Sequence, residues 1–224
     1  MRKVQFAVGQ FYHIYNRGVN KQNIFLDRRD HIRFLFILLT FQSKLPIYNI
    51  GRYVSTLIKH SVFNITKEIF NKITENRIVE LVSFVLMPNH FHLILHEVEE
   101  SGISRYMQKV LNAYAKYFNT KYKRSGHLFQ GPFHAVHIET NEQLLHLSAY
   151  IHRNPRELKE WKNKEHKYPW SSFQDLYNKN RWGELLVSNI IMEQFKNREE
   201  YKNFIDTSGA KDGTEDSDDG LGID

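Results

Sequence analysis

His90 and His92 stand two residues apart in the apolar run His90–His96 (HFHLILH). At strand periodicity their side chains leave one face while Phe91 points the other way, into a core. Two neutral imidazoles side by side can share a divalent cation. The chain holds no Cys, so thiolate metal sites and disulfides are excluded, and a nitrogen and oxygen ligand set suits Mg²⁺ or Mn²⁺ ahead of Zn²⁺. Two histidines with ordinary hydrogen bonds are the alternative reading of the pair. A second group falls on one helical pattern, Thr140–Arg153. There Leu144, Leu147 and Ile151 make an apolar stripe that should face a sheet, and His146, Tyr150 and Asn154 follow at i, i+4 and i+8 along its edge. A Tyr hydroxyl and an Asn amide one turn apart can reach one metal site from the same helix. Core packing for Tyr150, and helix termination by Asn154 before Pro155, stand beside that reading.

The elements that must position these groups can be read around them. Phe11–Asn16 (FYHIYN) alternates as a strand and stops before Arg17-Gly18. Asp27–Leu39 is helical, with acids near its start to cap it. Val79–Met87 and His90–His96 form a hairpin over Pro88-Asn89, an unusual pair for a two-residue turn. Ile103–Tyr122 is the longest helical pattern, with Ile103, Met107, Val110, Tyr114 and Tyr117 on one side; Phe133–Ile138 is a further strand. In Thr140–Arg153, Thr140 and Gln143 have capping-box spacing. Strand, helix, hairpin, helix, strand is the order of a ferredoxin-like α+β sandwich, an antiparallel sheet with its helices on one face. The expected organisation is a main domain over 1–180 with an elaboration of unspecified form at 41–77. A C-terminal helical extension at 181–206 and an acidic disordered tail at 207–224 follow.

Charge points toward nucleic acid. The net charge is +6, but the tail 207–224 carries six acids and one Lys, which leaves the body at +11. From Ser101 to Ile138 there is no acid, while Arg105, Lys109, Lys116, Lys121, Lys123 and Arg124 interleave with Tyr106, Tyr114, Tyr117, Phe118, Tyr122, Phe129 and Phe133. Basic groups neutralise phosphates and exposed rings stack on unpaired bases, so this mixture suits single-stranded nucleic acid; about half of those rings should belong to the core instead. No apolar run is long enough to span a bilayer, and Met1 to Gln10 lacks the apolar segment of a secretory signal. The expected location is cytoplasmic, with no membrane partner.

Five ordered segments carry a resemblance. Met87-Pro88-Asn89-His90-Phe91-His92-Leu93 resembles the His-hydrophobic-His signature of IS200-like, HUH-class tyrosine transposases, and its longer context resembles the REP-associated tyrosine transposases. Tyr12-His13-Ile14-Tyr15-Asn16-Arg17-Gly18, Gly126-His127-Leu128-Phe129-Gln130-Gly131, Tyr150-Ile151-His152-Arg153-Asn154-Pro155 and Tyr168-Pro169-Trp170-Ser171-Ser172 follow in family order, over roughly residues 12 to 173. The resemblance implies that His90 and His92 bind the metal, that Tyr150 is the nucleophile and that Asn154 completes the metal site, on a ferredoxin-like sheet. Lys116, His127 and Arg153 are the expected phosphate or base contacts. The implied activity is Mg²⁺- or Mn²⁺-dependent nicking and rejoining of single-stranded DNA, with a hairpin, through a 5′-phosphotyrosine. Members are domain-swapped homodimers, in which each tyrosine serves the partner's metal, or monomers; both remain open here. Two other functions also remain open. A replication-initiator type HUH nuclease shares the chemistry, though the segments around His127 and Trp170 disfavour it, and a catalytically silent binding module would keep only the fold.

Overall fold

The computed structural model describes residues 4–60, 63 and 65–209. In chain order its main elements are β1 (Phe11–Arg17), α1 (Arg28–Thr40), α2 (Ile50–His60), α3 (Lys67–Glu75), β2 (Val79–Met87), β3 (His90–Glu97), α4 (Gly102–Lys121), β4 (His134–Ile138), α5 (Asn141–Arg153), α6 (Phe173–Tyr177), α7 (Asn189–Met192) and α8 (Arg198–Thr207). The strands form one antiparallel sheet in the order β2-β3-β1-β4. That is the ferredoxin-like α+β sandwich expected from the sequence, with the first and third strands at its centre.

Local chemistry explains the element boundaries. Asp27 caps α1 by accepting from the Asp30 amide at 3.0 Å, while the Asp30 carboxylate reaches back to the amides of Leu26 and Asp27. Thr140 and Gln143 form the same reciprocal box at the start of α5. The Pro88-Asn89 turn does not stand alone. Pro88 O accepts from the amides of Ile24 and Phe25, and Asn89 O accepts from Gly18 N at 2.8 Å. This bracing from outside holds a turn whose own residues have modest preference for it. Gly18 is required there, since a Cβ would lie 2.2 Å from Gln22 O.

The two faces of the sheet differ. On one, Phe91 packs against Phe34 of α1 with ring centroids 5.1 Å apart, and the Tyr106 hydroxyl of α4 donates to Leu38 O of α1, joining both crossover helices over a continuous apolar core. These two helices share a face as anticipated. α5 adds a layer on the opposite face, so the complete sheet is covered on both sides rather than one. The 41–77 elaboration contains α2 and α3; Val54 of α2 packs with Ile32 and Phe36 of α1 as a small second cluster. The 181–206 extension contains α7 and all but the last residue of α8. The Tyr201 hydroxyl lies 2.7 Å from His152 Nδ1 of α5, which makes α8 a strap over that helix. Beyond Gly209 the expected acidic tail lies outside the described residues.

Candidate active site

Strand register and helix pitch meet at one place. In the central pair of strands Tyr15 lies opposite His92, and Arg17 opposite His90, so His13, Tyr15, His90 and His92 all project toward α5. From α5, Tyr150 presents its ring edge-on to His92 with centroids 5.4 Å apart, and Asn154 brings its Oδ1 to 3.2 Å from His90 Nε2. His90 and His92 are themselves in T-shaped contact at 5.1 Å. The four residues singled out by the sequence are therefore one cluster, built within a single chain.

The hydrogen bonds define which atoms face the cluster. His90 Nδ1 sits 2.7 Å from Asn89 Oδ1, an atom that only accepts, so this nitrogen carries the proton and Nε2 is left with a lone pair. Asn154 Nδ2 donates to Tyr150 O at 2.9 Å, which fixes the amide with Oδ1 toward His90. Two acceptor atoms, His90 Nε2 and Asn154 Oδ1, thus face each other. Such a pair is stable around a shared cation, or around a second proton on His90. Among the described residues no three His, Asp or Glu side chains gather into a metal set; the further donor atom facing His90 is the amide oxygen of Asn154. Two imidazoles and an amide oxygen make a mixed nitrogen and oxygen donor set that can hold a divalent cation. Tyr150 is buried, and burial pushes its phenol pKa well above the ordinary value; the negative charge of Glu157 adds to the rise, and the Asn154 hydrogen bond opposes it.

The other expected contacts lie elsewhere. Lys116 is exposed on α4, and His127 is exposed in the loop after that helix; neither makes a hydrogen bond or ring contact with the cluster. Arg153 is a correction. It is 1% exposed and its Nη1 donates to the carbonyls of Ile205 (3.0 Å), Asp206 (3.2 Å) and Ser208. Enclosed between the body and α8, it is placed to hold the C-terminal end of that helix and does not face a DNA backbone.

The stacking platform is a second correction. Of the seven rings between 101 and 138, Tyr106, Tyr114, Phe118, Phe129 and Phe133 are buried. Tyr117 and Tyr122 are half-buried with their hydroxyls on the Asp30 carboxylate at 3.0 and 2.7 Å. Lys121 also turns inward, 2.7 Å from both Asp27 and Asp30. Much of this segment's aromatic and basic character serves the body itself.

Sequence reasoning named no role for His13 and Asn89, and did not single out Tyr15 or Glu157. A signal for the first-strand pair existed. His13 and Tyr15 alternate at period two, and the ferredoxin-like order places that strand beside the one bearing His90 and His92.

Two comparisons bear on this arrangement. A family model described as "Transposase IS200 like" matches residues 39–154, just over half of the chain. A solved structure of a REP-associated tyrosine transposase bound to a REP hairpin aligns with a TM-score of 0.50 at 16% sequence identity, over 78% of this chain and 82% of that one. At that identity the likeness speaks for the fold alone. No curated protein sequence matches.

Proposed function

This chain belongs to the IS200-like transposase family, and on that premise we propose that it nicks and rejoins single-stranded DNA with Tyr150 as nucleophile. The observation that carries the reading is the meeting of Tyr150 on α5 and Asn154 at that helix's C-cap with His90 and His92 on β3. The Tyr150 phenolic oxygen attacks phosphorus and the bond to the 3′ oxygen breaks. The phenolic proton leaves to a base, and the departing 3′ oxygen gains one. A tyrosine-linked 5′ phosphate and a 3′-OH result, and attack by another 3′-OH reverses the step with the bond energy retained.

A Mg²⁺ or Mn²⁺ ion held by His90, His92 and Asn154 would supply charge stabilisation at the phosphate oxygens. The protein's own part is to orient. Asn89 and the Tyr150 carbonyl fix the donor atoms of His90 and Asn154, and the edge-on contact with His92 orients the Tyr150 ring. Because the cluster closes within one chain, the reading needs no exchange of α5 between subunits. The substrate form we favour is a single strand flanked by a hairpin, with the basic body supplying salt-dependent attraction.

The test uses a labelled single-stranded oligonucleotide carrying a hairpin, Mn²⁺, and a denaturing gel. Wild-type protein should give a covalent species whose adducted peptide contains Tyr150, and Tyr150→Phe should give none while folding normally. An adduct persisting in Tyr150→Phe would show that the nucleophile is another residue.

A further inference from the structure

We infer that His13 is a positioning residue that sets the proton of His92 so that its Nε2 can take a cation. The inference rests on the metal-site reading above. His13 Nε2 lies 2.9 Å from His92 Nδ1, both side chains are buried, and the rings are near parallel, 18° apart with centroids at 5.1 Å. The contact spans the central strand pair and joins residues 79 apart in sequence. It puts a buried polar partner directly behind one of the two imidazoles of the cluster.

Only one proton fits between the two nitrogens. If His13 donates, neutral His92 carries its own proton on Nε2, and that nitrogen has no lone pair for a cation. If His92 donates from Nδ1, its Nε2 lone pair is available and His13 acts as acceptor. The neighbouring ligand shows the same logic in rigid form, since Asn89 Oδ1 can only accept from His90 Nδ1. Both imidazoles are thus backed at Nδ1 and offer Nε2, one behind a fixed acceptor and the other behind an acceptor that can switch. Partners of this kind, behind a metal-bound imidazole, typically change metal affinity by about 10- to 100-fold when lost.

The experiment compares full-length wild type, His13→Gln and His13→Phe. Gln retains an oxygen acceptor; Phe keeps a ring of similar size without one. Calorimetric titration with Mn²⁺ should give His13→Gln within about threefold of wild type and His13→Phe at least about tenfold weaker, with thermal midpoints recorded to separate folding from binding. Two-bond ¹H–¹⁵N spectra of histidine-labelled protein in Mg²⁺ should show His92 as the Nδ1–H form in wild type. Should His13→Phe fail to fold, that spectrum alone decides. Wild-type Mn²⁺ affinity in folded His13→Phe, or an Nε2–H His92 in the Mg²⁺-loaded wild type, overturns the inference about His13. A wild type that binds no Mn²⁺, or whose binding is unchanged in the His90→Ala/His92→Ala double variant, overturns the metal site and this inference together.

Discussion

The two faces of the same four strands differ in how much polar chemistry they admit. Toward α1 and α4 the strands send Tyr12, Ile14, Phe84, Leu86, Phe91 and Leu93, all buried among apolar neighbours. Toward α5 they send the buried Val85, Met87 and Ile94, and among these Ser83, His13, Tyr15, His90 and His92, which are joined by hydrogen bonds and ring contacts. Polar groups are fully buried on the α5 face as well. His152 lies between Ser83, Ser172 and Tyr201, and burial holds its pKa down to about 3, so it is a neutral hydrogen-bond junction. A sheet with one side given to packing can carry polar groups on the other, because the apolar side supplies the cohesion that a buried polar layer does not.

That contrast is breakable from either side. Replacing both His90 and His92 by Ala should reduce Mn²⁺-dependent cleavage by at least on the order of a thousandfold, while chemical denaturation shows a loss of only about 1–2 kcal/mol, from the stranded partner of His92. Loss of the fold in that variant would mean that the polar face also carries the stability. The reverse experiment is Phe34→Ala on the packing face. It should cost about 3–5 kcal/mol in the same denaturation assay, with Mn²⁺ affinity at a permissive temperature within about twofold of wild type because the site lies across the sheet.

A finer test asks whether a histidine in the α1 layer behaves as packing. His31 is stacked between Phe25 and Trp170 at 4.6 and 4.5 Å, and burial lowers its pKa to about 4, against an opposing pull from Asp27 and Asp30. Since the folded value lies below the unfolded one, near 6.5, stability is full above pH 6.5 and falls as pH drops toward 4. The maximum loss is about 3 kcal/mol. Unfolding curves across that window should slope in wild type and flatten in His31→Phe; equal slopes would remove His31 from the account.

The legible parts of the molecule were those written in local periodicity. Alternation in FYHIYN, the Val79–Met87 and His90–His96 runs, and the Thr140–Gln143 box gave strands and helices whose ends move by a residue or two in the structure. Spacing also put His90 with His92, and Tyr150 with Asn154. Their convergence on one site was what the family resemblance implied. What stayed hidden is what only the tertiary arrangement decides. The bond between His13 and His92 joins residues far apart in sequence. The side of the sheet taken by α5 is not encoded in that helix's own stripe. In the 101–138 segment, residue type alone could not say which rings turn inward, and Arg153 reads as a surface cation until α8 is laid over it. Within 41–77, Pro46 and Gly51 interrupt the pattern, and Val54 of α2 finds its buried apolar partners on α1.

The strap across α5 also sets an order of events. Among the groups that hold the end of α5 are Tyr201 on His152 and the carbonyls of Ile205, Asp206 and Ser208 on Arg153, about fifty residues downstream. On the ribosome, the sheet with its four strands has emerged before any of these exists. The packing layer can therefore consolidate first, and the helix bearing Tyr150 and Asn154 acquires its last supports only when residues 198–208 are made. In a growing chain, the proposed cleavage site would be the last part to set.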